Sequence, residues 1–94
     1  MARAVFNGEV IADSSDVVEV DGYTYFPMRS VRAGVLAANA FTTVCSSKGT
    51  ASYYDVVAAG KTIARAAFAY ADPTPAAMEL HGRVAFWKSV EVNA

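Results

Sequence analysis

Short apolar runs, each closed by a turn pair, set the rhythm of the first part of the chain. Ala4–Phe6 ends at Asn7-Gly8, and Glu9–Ala12 resumes in strand style. Asn-Gly between two such runs is a hairpin signal, because both turn positions need positive φ. Asp13–Asp16 reads as a turn, and Val17–Val20 is β-branched around Glu19. Asp21-Gly22 then turns the chain before the aromatic run Tyr23–Phe26. Two Asn/Asp-Gly turns so close together predict an antiparallel meander. Pro27 has no backbone donor and ends that strand.

The period then changes. Met28, Val31, Val35 and Ala38 recur at helical spacing, with Arg29 and Arg32 off the stripe. This predicts a helix over Met28–Ala38. Gly34 sits inside it and costs about 1 kcal/mol relative to alanine, so the helix is expected to be soft and mobile. Phe41–Cys45 reads as a strand and Ser46–Gly49 as a loop. Thr50–Val57 is a strand in which Tyr53 and Tyr54 face opposite sides. Thr62–Tyr70 follows a turn at Gly60. After the loop Ala71–Pro75, Thr74 can cap a second short helix with Pro75 at its first position, ending near Leu80. Arg83–Lys88 and Val90–Val92 finish as strand. The expected fold is α+β and mainly β: a curved antiparallel sheet or partial barrel with two short helices.

With 94 residues, the chain is expected to be one domain. Hydrophobic residues are 54% and charged residues 18%, the reverse of a disordered balance. The eight basic residues are scattered among nine acids, so no basic stripe points to nucleic acid or an anionic membrane. No apolar run is long enough to span a bilayer, and the N-terminus lacks the apolar core of a signal peptide. The lone Cys45 fits a reducing cytoplasm, where the chain is expected to reside.

Candidate chemistry is sparse. Cys45, beside Ser46-Ser47-Lys48, invites a nucleophile reading, since a neighbouring cation lowers a thiol pKa. The alternative is a small hydrophobe at a strand end, and this is the reading adopted. His81 with a serine and Asp55 or Asp72 would make a hydrolase triad, but no G-x-S-x-G elbow is present. Its place at a helix end suits a cation equally well. Lys48-Gly49-Thr50 is similar to the end of a phosphate-binding loop, with lysine and glycine in the wrong order and the first glycine missing. One cysteine and one histidine do not make a zinc site, so neither metal nor cofactor is expected. The aromatic residues Tyr23, Tyr25, Phe26, Phe41, Tyr53, Tyr54, Phe68, Tyr70, Phe86 and Trp87 read mainly as core, with some available to line a pocket.

Several strings carry a family resemblance. They are Phe6-Asn7-Gly8 with Val10-Ile11-Ala12, Tyr25-Phe26-Pro27 with Ser30-Val31, Cys45 with Lys48-Gly49-Thr50-Ala51-Ser52-Tyr53-Tyr54, and Gly82 with Val84-Ala85-Phe86-Trp87-Lys88. Over nearly its whole length the chain resembles the bacterial family called domain of unknown function 427. The resemblance implies a compact, mainly β fold and carries no activity. The departures are informative. Where the family resembles C-P-W-K-G, this chain has Cys45-Ser46-Ser47-Lys48-Gly49. Where it resembles A-A-W-Y-Y-P-x-P, this chain has Phe68, Ala69 and Ala71 in place of tryptophan, tyrosine and proline. The usually polar segment after Ser30-Val31 is apolar here.

Three regions thus change together toward small or apolar residues, and since removing large side chains from a packed site costs about 2–5 kcal/mol each, the changes look like carving. The chain resembles a computationally designed small-molecule binder on the family scaffold. A divergent natural homologue is the alternative, including an enzyme that uses Cys45, Lys48 or the tyrosines. The expected ligand is hydrophobic and drug-sized, steroid- or secosteroid-like, of the vitamin D type. Its expected contacts are Met28, Val31, Val35 and Leu36 on the helix, then Phe41, Val44, Ser46, Ser47 and Tyr53, with Phe68, Ala69, Ala71 and Met78. Restoring bulk by Ser47→Trp or Ala69→Tyr is expected to raise stability and weaken binding. No catalytic residue is assigned, and the oligomeric state is left open.

Overall fold

All nine expected strands are present in the computed structural model, which describes residues 1–93. They are β1 (Ala2–Phe6), β2 (Glu9–Ser14), β3 (Val18–Val20), β4 (Tyr23–Pro27), β5 (Leu36–Cys45), β6 (Gly49–Ala58), β7 (Lys61–Ala69), β8 (Arg83–Phe86) and β9 (Glu91–Asn93). The β1–β2 and β3–β4 hairpins turn on Asn7-Gly8 and Asp21-Gly22, all four residues at positive φ. That is the paired left-handed geometry that matches strand twist.

The strands form two antiparallel sheets, and neither closes into a barrel. The small sheet has the order β2-β1-β9, and the large one β3-β4-β8-β7-β6-β5. Between them lies the main core. β1 and β2 contribute Ala2, Ala4, Phe6, Ile11 and Ala12; the large sheet contributes Phe26, Val56, Ala66, Ala67, Ala69, Val84 and Phe86. The alanines from both sides let the sheets approach closely, which explains where the alanine-rich composition is used. A second apolar cluster forms on the outer face of the large sheet, from Tyr25, Ala51, Phe68, Tyr70, Ala77, Leu80 and Ala85. Strand alternation creates both clusters: Phe68 faces out where Ala67 and Ala69 face in, and Tyr25 faces out where Phe26 faces in.

The two short helices expected from sequence are not found. Met28–Ser30 is a single 3₁₀ turn. Val31 then leaves in extended conformation and bridges Ala12, with Arg32 N–H donating to Ile11 O at 2.8 Å. Gly34 at φ +84° cannot continue a right-handed helix, and β5 begins at Leu36. The helical spacing was produced by Val31 and Val35 standing on either side of a turn, closed by Val35 N–H donating to Arg32 O at 3.2 Å, from which both reach the inter-sheet core. A mobile helix over Met28–Ala38 therefore does not exist. Pro75–Leu80 is also 3₁₀, kinked at Ala77, and it covers one end of the outer face with Ala77 and Leu80.

Candidate functional site

The outer face of the large sheet is only partly covered, and an aromatic cleft of about 180 Å³ opens there. Its wall is Tyr23, Tyr25, Tyr53, Phe68, Tyr70 and Trp87, with Asp21 and Lys48 at one side. Phe68 is the hub. Its ring stands edge-on to Tyr25 (6.1 Å, 88°), Tyr70 (6.4 Å, 87°) and Trp87 (6.4 Å, 84°), and tilts against Tyr53 at 5.8 Å.

Register explains the gathering. Tyr53 on β6 lies opposite Phe68 on β7, and Ala85 on β8 lies between Phe68 and Tyr25 of β4. The small Ala85 side chain keeps two large rings from competing for one place on the face. Trp87 follows β8, where its indole Nε1 donates to Arg65 O at 2.6 Å and its backbone N–H to Ala66 O at 3.0 Å. Arg65 itself bulges from β7 at φ +57° and covers the Phe41 ring at 3.9 Å.

Polar groups at the cleft are few. Burial pushes the Tyr25 and Tyr70 phenols upward, so both stay protonated. Neither hydroxyl has a hydrogen-bond partner among the described residues. Lys48 Nζ pairs with Asp21 Oδ2 at 2.5 Å, and the Asp21 carboxylate raises the lysine's pKa. The Lys48 loop is pinned from behind: Thr74 N–H donates to Lys48 O at 3.0 Å and Thr74 Oγ1 to Ser47 O at 2.6 Å.

The residues expected to contact a ligand are spread over several places. Tyr53 and Phe68 line the cleft. Ser47 lines an adjacent cavity of about 190 Å³ beneath the Pro75–Leu80 turn. Val35 and Ala69 are buried between the sheets, and Met28, Val31 and Leu36 pack against that same core. Those five lie across the large sheet from the cleft. Phe41 is exposed and meets the Tyr53 ring edge-on at 5.1 Å. Val44 is 81% exposed, and Ser46, Ala71 and Met78 are also exposed.

Sequence reasoning left Tyr23, Tyr25, Tyr70, Trp87, Lys48 and Asp21 out of the site. A signal was present: Tyr23 and Tyr25 are two apart in β4 and so share a face, and Tyr70 follows Phe68 by two just past the end of β7.

Catalytic arrangements are thin. Cys45 Sγ lies 3.3 Å from Ser47 Oγ. That contact, then the Ser47 and Lys48 backbone N–H groups, pull the thiol pKa below its ordinary value. His81 makes no side-chain hydrogen bond, and no metal-binding group of His, Cys, Asp and Glu forms, among the described residues. No described helix is long and apolar enough to cross a membrane.

No curated protein matches the chain. A family model described as domain of unknown function (DUF427) matches residues 1–94, the whole chain, and the chain belongs to that family.

Proposed function

We propose that this protein binds a largely apolar small molecule, without chemical turnover, in the aromatic cleft. One observation carries the reading: five aromatic side chains converge around Phe68, with two protonated tyrosine hydroxyls that have no partner among the described residues. Apolar walls with a few placed polar groups are what small-molecule pockets require. The ligand that suits them is a neutral ring system bearing a hydroxyl, which the Tyr25 or Tyr70 phenol would hydrogen-bond. A secosteroid of the vitamin D type has that chemistry and is larger than the cleft, whose volume is about 180 Å³. Ser47 supports the idea of a designed binder, since a small residue there leaves space beside the cleft.

The test is a panel of neutral lipophilic molecules, including cholecalciferol and 2-naphthol, measured by calorimetric titration and thermal shift. Mass spectrometry then recovers the ligand. Saturable binding with the ligand returned unchanged is expected. An absence of binding across the panel, or conversion of the bound molecule, overturns the proposal.

A further inference from the structure

Two cavities meet at one ion pair. The aromatic cleft and the cavity beneath the Pro75–Leu80 turn have different linings except for Asp21 and Lys48, which belong to both. The second cavity is walled by Val20, Ala77 and Leu80 with Ser47, Ala76 and Glu79 towards its mouth. Its floor is apolar and its margin polar, and its small residues leave it open. At about 180 and 190 Å³, each chamber alone is too small for a drug-sized ligand. Such sites begin near ~300 Å³, which the two pass when joined.

We infer that Lys48 and Asp21 form a movable gate, and that the ligand is an elongated, neutral apolar molecule occupying both chambers. This rests on the reading of the cleft as a small-molecule site. The pair is built to open. Asp21 stands in the turn between β3 and β4, with its side chain 67% exposed. Its carboxylate therefore stays hydrated when Lys48 leaves, and the Lys48 side chain, 17% exposed where it stands, carries its ammonium out to water as it swings. Lys48 hangs from the β5–β6 loop on a flexible stem, while the loop's backbone is fixed by the two bonds from Thr74. The side chain can swing while the loop holds its place. The first chamber selects a flat ring system. The second accepts a narrower aliphatic section against Val20, Ala77 and Leu80.

Two probes separate the chambers: 2-naphthol, small enough for the cleft alone, and cholecalciferol, which is larger than the cleft. Ser47→Trp places an indole in the second chamber. Ala76→Phe does the same from an exposed position on the 3₁₀ turn, and serves if the first variant folds poorly. Each should weaken cholecalciferol by about ten-fold or more and leave 2-naphthol within about two-fold. Equal losses for both probes, or no loss for either, would overturn the gate and second chamber while leaving the cleft in place. So would binding of 2-naphthol without cholecalciferol to the unaltered chain. If neither probe binds that chain, the cleft reading fails and this inference fails with it.

Discussion

Phe68 and Tyr23 meet edge-on, 5.2 Å apart at 89°, although their strands do not touch. β8 lies between β7 and β4, and its Ala85 is small enough for rings on either side to meet. Phe68 is thus the common neighbour of the cleft's rings and is 7% exposed. Phe68→Ala should lower stability by about 3–5 kcal/mol through lost burial and a residual void. Urea denaturation measures this. A loss under about 1 kcal/mol would mean the ring is not the hub of the outer cluster.

Ser47→Trp and Ala69→Tyr should part company. Ser47 is exposed and borders a cavity, so an indole there gains contacts and leaves the melting temperature equal or higher. Ala69 is 4% exposed in the inter-sheet core and lines neither the cleft nor the cavity beside it. A tyrosine there overpacks the core and should cost about 1–3 kcal/mol or more. This reverses the gain expected from family bulk alone. Matching melts for the two variants would contradict the assignment of Ala69 to a closed core.

Asp16 supplies a pH prediction. Arg83 Nη2 donates to its Oδ1 at 3.1 Å, and Arg83 Nη1 to its carbonyl at 2.7 Å. Chiefly through Arg83, and less through Arg29, the carboxyl sits below its ordinary 3.8. A depressed folded pKa stabilises the fold above the unfolded value and loses that contribution as pH falls through the folded one. Arg83→Gln should move the Asp16 titration upward, read from its side-chain carboxyl carbon by NMR. An unmoved titration would show that Arg83 is not the cause.

Two glycines should differ in cost. Gly34, at φ +84°, has nothing within 4 Å of an added Cβ. Gly34→Ala therefore carries only the left-handed backbone penalty, about 1–2 kcal/mol. Gly49, at φ +110°, would place that Cβ 3.2 Å from Asp72 O, against backbone that Thr74 ties down. Gly49→Ala should cost more and disturb the Lys48 loop. Equal denaturation midpoints would remove the packing part of this argument.

Cys45 is expected to be structural. Its side chain packs against the outer cluster and is absent from the cleft's lining. Cys45→Ser should bind cholecalciferol as the unaltered chain does, measured by titration. Loss of binding with an unchanged melt would give the lowered thiol pKa a functional meaning.

Strands were legible because Asn-Gly and Asp-Gly permit few other conformations, and because β-branched and aromatic runs lay between them. The Met28–Ala38 segment was misread for a definite reason. Val31 and Val35 reach one core from the two sides of a turn, and spacing alone does not separate that from a helix face. The β-branched valines and Gly34 were the contrary signal. Tyr53 and Phe68 were identified as site residues, and the structure sets them side by side across β6 and β7. The remaining cleft residues depend on strand order: Tyr23, Tyr25 and Trp87 approach Phe68 only because β8 pairs with β7 and β4 with β8. Local pattern does not encode that order.

Trp87 is the sole tryptophan of the chain, and it stands in the cleft wall. Its indole N–H is fixed to Arg65 O, and the ring is 37% exposed. The protein therefore carries its own optical probe at the place of interest. Emission excited selectively in the indole comes from this one position, so a change in wavelength or intensity on titration reports the cleft without any added label.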